Sequence, residues 1–128
     1  MKSYNLNQIS SIINGTLIGN NHEIVNQIFF DSRMIINPIH GIFFAFHGNQ
    51  KDGHLYLQDA YQKGIRNFVV EKKVENLPDA NFIEVQNPLN ALQIWAKYHR
   101  KQFTFPVIGI TGSNGKTIVK EWLNQLLW

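Results

Sequence analysis

The sequence predicts an α/β protein built around a small mixed sheet, because strand-like and helix-like segments alternate along its 128 residues. Segment 41–47, which reads Gly-Ile-Phe-Phe-Ala-Phe-His, is almost entirely apolar, as is typical of a strand buried on both faces of a sheet. Near the C-terminus, an apolar strand-like segment, a loop with two glycines and an amphipathic helix follow one another. These patterns predict one compact domain over residues 1–103 and the start of a second over 104–128.

Turn residues separate the predicted elements of the first domain. Apolar residues at helical spacing predict an amphipathic first helix, which Gly15 would end. Gly64 ends a second helical pattern in the same way, and Pro88 suits the first turn of a third helix. The predicted helices cover 4–14, 54–63 and 88–102, and the predicted strands cover 16–19, 24–30, 41–47, 67–71 and 82–85.

The composition describes a globular protein with a mildly basic charge. Hydrophobic residues make up 44% and charged residues 16% of the chain, and the net charge is +3. Because the lysines and arginines are scattered, the charge suits an anionic small substrate better than a nucleic acid. The absence of cysteine excludes disulfides and thiolate metal sites. Without a signal-peptide core or an apolar run of ~20 residues, we expect a cytoplasmic protein that does not enter a membrane.

Residues 111–117, which read Thr-Gly-Ser-Asn-Gly-Lys-Thr, are predicted to form a phosphate loop. They follow the strand-like segment 106–110 and precede a helical pattern over 119–127. Glycines let successive backbone N–H groups point at phosphate oxygens, and the positive end of the following helix adds to the attraction. Lys116 can reach the terminal phosphates, and Thr117 can ligate Mg²⁺. The predicted ATP-binding residues are Gly112, Ser113, Asn114, Gly115, Lys116 and Thr117.

Two features set this loop apart from the usual one. The usual pattern has a glycine five residues before Gly115, where this chain has Ile110. An ordinary strand-to-helix turn with a solvated lysine is therefore the alternative interpretation. In addition, few residues follow Thr117, so the further strands and the metal-binding acid of a nucleotide-hydrolysing domain have no room. We expect the chain to be the front part of a longer protein and to be inactive by itself.

Two polar clusters are predicted at strand ends in the first domain. One consists of Asp31, Ser32 and Arg33, and the other is Lys-Asp-Gly-His at 51–54. The aromatic segment 43–46 lies between them. A guanidinium, a hydroxyl and aromatic surfaces suit the phosphates, ribose and base of a uridine diphosphate. The residues alone also permit a turn held by an Asp–Arg pair and a tight turn before a helix.

The order of these motifs resembles that of the Mur ligases of peptidoglycan synthesis. The resemblance covers nearly the whole chain and includes the same departure from the usual phosphate loop at Ile110. The loop of the family usually continues with a second threonine, where this chain has Ile118. The matching segments are 31–33, 41–48, 52–54, 60–64 and 111–117.

The resemblance implies a ligase that uses ATP and Mg²⁺ to join a carboxylate to an amine through an acyl phosphate. It implies catalytic roles for Lys116 and Thr117, with Thr117 also holding Mg²⁺. It further implies that the first domain binds the UDP end of the substrate. The residues implied to bind the UDP substrate are Asp31, Ser32, Arg33, Phe44, Asp52, Gly53 and His54.

Within the family, the pair Lys120 and Glu121 favours members that add D-alanyl-D-alanine to UDP-N-acetylmuramoyl-tripeptide over members that add diaminopimelate or lysine. Segment 114–123 also resembles members fused to an alanine racemase, for which pyridoxal phosphate would be a further cofactor, although no residue here is predicted to bind it. Two other classes stay open. One is a non-catalytic UDP-nucleotide-binding module, and the other is the front part of a P-loop kinase, which would give 31–33 no role.

Overall fold

The computed structural model describes residues 2–20, 22–46, 56–74 and 76–127. The strands in these ranges are β1 (Tyr4–Asn5), β2 (Thr16–Ile18), β3 (Ile24–Val25), β4 (Gln27–Phe29), β5 (Gly41–Phe44), β6 (Asn67–Val70) and β7 (Asn81–Glu84). The helices are α1 (Leu6–Ile12), α2 (Leu57–Gln62), α3 (Pro88–Lys101) and α4 (Lys116–Leu127), and a 3-10 turn (Ser32–Met34) follows β4. None of the helices in the described ranges has the length and apolar character needed to cross a membrane.

A five-stranded mixed sheet forms the centre of the first domain, as the sequence predicts. Its strands lie in the order β2–β7–β6–β5–β4. Strands β4 to β7 are parallel, while β2 pairs antiparallel with β7. Strands β1 and β3 form a separate antiparallel pair. Because β4 to β7 run in one direction, their carboxyl ends all meet at the same edge of the sheet.

Helices cover both faces of the sheet, so β5 and β6 are buried along their whole length. Side chains of successive strand residues point to opposite faces. Phe44 packs in a cluster with residues of α1 and α3, whereas its neighbour Phe43 packs in a second cluster with residues of α2. On the second face, the rings of Phe43, Phe68 and Phe82 form a row across three strands, with centroids 6.4 and 5.6 Å apart.

Asparagine side chains cap the amino ends of two of the predicted helices. Asn5 accepts a hydrogen bond from the Gln8 backbone N–H at 2.8 Å, and the Gln8 side chain accepts one from the Asn5 N–H at 2.9 Å. Asn87 caps α3 through the N–H of Asn90, and Pro88 occupies the first turn as predicted. These bonds satisfy backbone donors that a helix leaves unpaired at its start, so both helix starts are encoded locally.

Helix α1 ends near Gly15 as predicted, but a different residue makes the turn. Asn14 adopts the left-handed conformation, with a φ of 55°, and the Gly15 N–H donates to the Ser10 carbonyl at 2.8 Å. Gly15 itself lies against β7, where an added Cβ atom would clash with the Ile83 side chain. The glycine is therefore needed for close approach to the sheet rather than for its backbone freedom.

A chain of amide side chains crosses the sheet at the amino ends of the parallel strands. The Asn67 side chain donates to the Gly41 carbonyl at 3.1 Å, and the Asn81 side chain donates to the Asn67 side-chain oxygen at 2.9 Å. The Asn81 side-chain oxygen accepts in turn from the Asn20 N–H at 2.7 Å. Because Asn67 and Asn81 are buried, these bonds replace the water that their amides lose, and they tie β5, β6 and β7 together.

Most predicted elements are confirmed to within a few residues at their ends, but two predicted strands differ. The predicted strand 24–30 is divided at Asn26, since β3 pairs with β1 while β4 pairs with β5. The prediction of a strand over 106–110 is wrong: this segment is almost entirely exposed and pairs with no described strand, and a strand needs a neighbour to bond its backbone. Helix α4 begins at Lys116, three residues earlier than predicted.

We expect Asn81→Ala to lower the free energy of unfolding by about 2 kcal/mol, because it leaves the buried Asn67 oxygen without its donor and removes the acceptor of the Asn20 N–H. Urea denaturation would measure the change. Asn90→Ala is the matched control: Asn90 is exposed on α3, so the same substitution should change stability by less than about 0.5 kcal/mol. Equal effects of the two substitutions would contradict a structural role for the amide chain.

Candidate functional site

The first predicted motif lies at the carboxyl edge of the parallel sheet. Strand β4 ends at Phe29, and Asp31 then caps the 3-10 turn that contains Ser32 and Arg33. We call residues 31–34 the Asp31 turn. Strand β5 runs parallel to β4 and ends at the same edge. In open α/β sheets, ligands bind in the crevice outside the carboxyl ends of the strands, so the Asp31 turn stands where a ligand is expected.

Arg33 is held by Asp31 while most of its side chain stays in solvent. Its Nε donates to Asp31 Oδ1 at 2.9 Å, its Nη2 donates to Oδ2 at 2.6 Å, and its backbone N–H donates to Oδ1 at 3.0 Å. The Arg33 side chain is 73% exposed and the Asp31 side chain 29%. The hydrogen bonds and charge of Asp31 raise the pKa of Arg33 above its ordinary value. Arg33 is therefore a permanent cation with a defined orientation.

Ser32 lies beneath the Asp31 turn rather than on its surface. The residue is only 2% exposed, and its carbonyl accepts a hydrogen bond at 2.8 Å from Lys63 Nζ, at the end of α2. The Ser32 side chain, together with the hydrogen bond and charge of Lys63, lowers the pKa of Asp59 on α2 below its ordinary value of 3.8, against an opposing effect of burial. Ser32 therefore anchors the turn to α2, while Arg33 is the residue of the motif that faces solvent.

The exposed aromatic surface near the turn differs from the predicted one. Phe44 is fully buried and stacks on Trp95 of α3, with centroids 6.0 Å apart, so its ring offers no surface to a nucleotide base. Phe30 and Phe46, which lie just beyond the ends of β4 and β5, stack on each other at 5.9 Å, and Phe30 is 61% exposed. Strand alternation could have indicated this pair, because Phe44 and Phe46 share one side of the chain and only Phe46 lies past the strand end.

The second predicted cluster, Asp52, Gly53 and His54, lies outside the described residues, as does Lys51. The described residues on either side of this gap are Phe46, at the carboxyl edge of the sheet, and Tyr56, just before α2. The roles that the resemblance implies for the cluster therefore stay predictions.

The predicted phosphate loop, residues 111–117, curves openly into α4. Gly112 and Gly115 have φ angles of 150° and 76°, which glycine adopts without strain. A Cβ atom placed on Gly115 would meet nothing within 4 Å, so no described side chain fills the bend at this residue. Helix α4 begins at Lys116, and the Val119 N–H donates to the Gly115 carbonyl at 3.0 Å. The first amides of α4 are thus available to an anion in the loop, as phosphate binding requires.

Lys116 and Thr117 lie beside a pocket of about 310 Å³, which is also lined by Ile108, Ile110 and Lys120. The Thr117 hydroxyl suits one coordination position of Mg²⁺, whose other ligands would be phosphate oxygens and water. Within the part of the chain that the structure describes, no group of three or more His, Cys, Asp or Glu side chains is arranged to hold a metal ion.

No protein-family model matches the chain. It is 36% identical over 127 residues to the UDP-N-acetylmuramoyl-tripeptide--D-alanyl-D-alanine ligase of Buchnera aphidicola subsp. Acyrthosiphon pisum, covering 99% of the chain and 27% of that ligase. The Bacillus subtilis ligase of the same name is 31% identical over 122 residues, covering 93% of the chain and 26% of the ligase. The UDP-N-acetylmuramoyl-L-alanyl-D-glutamate--2,6-diaminopimelate ligase of Clostridioides difficile is 34% identical over 105 residues, covering 80% and 21%.

A solved structure of the UDP-N-acetylmuramoylalanyl-D-glutamyl-2,6-diaminopimelate--D-alanyl-D-alanyl ligase from Acinetobacter baumannii is similar to nearly the whole chain. The TM-score is 0.82 at 25% identity, covering 99% of this chain and 28% of that one. A crystal structure of MurF from the same organism has a TM-score of 0.69 at 20% identity over 80% of this chain and 22% of that one, a likeness of fold alone. The chain spans about a quarter of the length of the curated relatives it matches.

We expect Ser32→Ala to raise the pKa of Asp59 back toward 3.8, because it removes the hydroxyl that contributes most to lowering that pKa. A lowered carboxyl pKa stabilises the folded chain above the unfolded value, so this contribution is present above about pH 3.8 and is lost as the pH falls through the lowered folded pKa. NMR titration of the Asp59 carboxyl carbon would measure both pKa values.

The matched control for this titration is Ser11→Ala, at an exposed serine of α1, which should leave the pKa of Asp59 unchanged. If Ser32→Ala also left the pKa of Asp59 unchanged, Ser32 would not anchor the Asp31 turn through this carboxylate.

Proposed function

We propose that this chain, which belongs to the Mur ligase family, provides the UDP-substrate domain and the phosphate loop of an ATP-dependent ligase. The chain is a relative of the N-terminal domain of these enzymes. The proposed substrate domain is 1–103, and 104–128 is the proposed start of the ATP-binding domain. The proposed reaction is the addition of D-alanyl-D-alanine to UDP-N-acetylmuramoyl-tripeptide, the substrates in the names of the Buchnera and Bacillus relatives. Because this reaction consumes ATP and a nucleotide-linked precursor, we assign it to the cytoplasm.

The observation that carries the proposal is the oriented Arg33 cation at the carboxyl edge of the sheet, in the same chain as an open phosphate loop. Arg33 is proposed to bind the diphosphate of the UDP substrate, since a guanidinium matches phosphate oxygens with a planar fork of N–H donors. Asp31 orients the guanidinium, and Ser32 supports the turn from below. The exposed ring of Phe30 is the surface on which the uracil base would stack.

The phosphate loop is proposed to hold ATP. In the chemistry that the family resemblance implies, the substrate carboxylate attacks the γ-phosphorus of ATP, which releases ADP and leaves an acyl phosphate. The amine then attacks the acyl carbon, and phosphate leaves. The amides of 112–117 would cradle the β- and γ-phosphates, and Lys116 would balance the charge that develops on them. Mg²⁺ bound with the help of Thr117 would neutralise further phosphate charge.

A second candidate reaction is the addition of diaminopimelate, since the Clostridioides difficile relative is named for it. Lys120 and Glu121, which favour the D-alanyl-D-alanine reaction by resemblance, form an exposed ion pair on α4 at 3.2 Å. An exposed ion pair of this kind contributes little to the stability of the fold. Lys120 and Glu121 therefore support the D-alanyl-D-alanine reaction only through their resemblance to the family motif. Offering D-alanyl-D-alanine and diaminopimelate in parallel distinguishes the two reactions. Binding of the UDP substrate without any response to ATP would instead indicate a non-catalytic module.

We expect Arg33→Ala to weaken binding of UDP-N-acetylmuramoyl-tripeptide about 30-fold, because the loss of a charge-assisted contact to phosphate costs ~2 kcal/mol. Titration calorimetry with the 128-residue chain would measure the affinity. Lys97→Ala, which removes an exposed positive charge from α3, is the control and should leave the affinity unchanged. The proposal would be wrong if the unmodified chain did not bind, or if both variants bound as tightly as it does.

In the full-length ligase that the proposal requires, Lys116→Ala should lower kcat by about 100-fold or more while leaving the affinity for the UDP substrate unchanged, because Lys116 acts only on the phosphates of ATP. Release of phosphate would report kcat, and calorimetry the affinity. Lys101→Ala, at an exposed lysine of α3, is the control, and the 128-residue chain by itself should release no phosphate. An equal loss of substrate affinity and kcat would argue against separate roles for the two motifs.

A further inference from the structure

The Asp31 turn is fastened to α2 by an ion pair to which the proposed chemistry gives no role. Lys63 Nζ donates a hydrogen bond to the Ser32 carbonyl at 2.8 Å and lies 3.3 Å from Asp59 Oδ2. The Ser32 carbonyl is thus bonded directly to the ammonium of this ion pair.

These bonds connect the turn to the rest of the domain. The Met34 N–H donates to the Asp31 carbonyl at 3.0 Å, and the Ile35 N–H donates to the Ser32 carbonyl at 3.4 Å, but both bonds stay within the turn and its end. The hydrogen bond from Lys63 links the turn to the end of α2. Because Ser32 directly precedes Arg33, a shift of Ser32 passes through a single peptide unit to the residue that carries the guanidinium.

We propose that Lys63 and Asp59 are positioning residues, which hold the Asp31 turn so that Arg33 meets the diphosphate in the orientation set by Asp31. The inference rests on the function proposed above for this turn. Both residues act through Ser32 rather than on the ligand. Asp59 lies four residues before Lys63, which is the favourable order for an ion pair on a helix, and it keeps the ammonium directed at the turn.

A positioning role can be separated from a role in global stability. The Lys63 and Asp59 side chains are 38% and 47% exposed, and exposed ion pairs contribute little to folding. Helix α2 is instead attached to the sheet by buried apolar side chains, among them Leu57 and Ala60. Loss of the ion pair should therefore loosen the turn and leave the sheet and α2 in place.

Lys63→Met tests the inference, because methionine keeps an apolar stem and removes the donor. In the 128-residue chain, we expect amide exchange at Arg33 and Met34 to rise about tenfold, and the affinity for UDP-N-acetylmuramoyl-tripeptide to fall about tenfold. The Tm should change by less than about 5 °C. Amide exchange by NMR, calorimetry and thermal unfolding measure the three quantities. Lys97→Met, the same change at an exposed lysine of α3, should alter none of them.

Two further variants sharpen the test. Lys63→Arg should keep both the slow amide exchange and the substrate affinity of the unmodified chain, because a guanidinium can donate to the Ser32 carbonyl and pair with Asp59. Asp59→Asn should cause a smaller loss than Lys63→Met, because Lys63 can still donate directly to the Ser32 carbonyl.

Unchanged exchange at Arg33 and Met34 in Lys63→Met would overturn the inference. A rise of equal size at the amides of β6 would overturn it too, since it would indicate a loss of global stability. Unchanged substrate affinity despite faster exchange would likewise exclude a positioning role. The exchange measurement needs no ligand, so failure of the unmodified chain to bind the UDP substrate would refute the proposed function, while the exchange rates would still decide whether Lys63 holds the turn.

Discussion

Burial of β5 and β6 on both faces of the sheet is the constraint on which the rest of the structure depends. Side chains inside these strands do not reach solvent, so groups that meet a ligand can stand only where strands end. Parallel pairing then brings those ends to one edge. Phe30, the Asp31 turn and Phe46 therefore gather at the carboxyl edge, while Phe44 belongs to the core. Phe44 and Phe46 point to the same side of the chain, but they have different roles because β5 ends at Phe44.

The two edges of the sheet have different tasks. At the amino edge, the amide chain through Asn67 and Asn81 joins three strands by buried hydrogen bonds. A slip of one residue in any of these strands would separate the amides and turn its apolar side chains to the opposite face. The register fixed at the amino edge therefore also determines where each strand ends at the carboxyl edge. The proposed UDP site depends in this way on residues that a ligand never contacts.

The predicted phosphate loop, residues 111–117, is built differently, since its shape depends on neighbouring residues alone. Two glycines with positive φ and the first turn of α4 create the open bend, and no described side chain lies near Gly115. Helix α4 carries exposed apolar side chains such as Ile118, Trp122 and Leu126, so the described part of the chain leaves its apolar face uncovered. The strand predicted over 106–110 does not form, because its backbone has no described neighbour to bond.

The sequence by itself determined the α/β class, the starts of α1 and α3, and the open bend over 111–117, because each depends on apolar spacing, a capping side chain or a glycine within a few residues. Only the tertiary structure decided which aromatic ring reaches solvent, that β3 and β4 take different partners, and that Ser32 is bonded to Lys63, 31 residues away. These features arise from contacts between segments distant in the chain, and no local pattern specifies which segments will meet. For this reason the residues of the Asp31 turn could be found from their order in the sequence, whereas the ion pair that holds the turn could not.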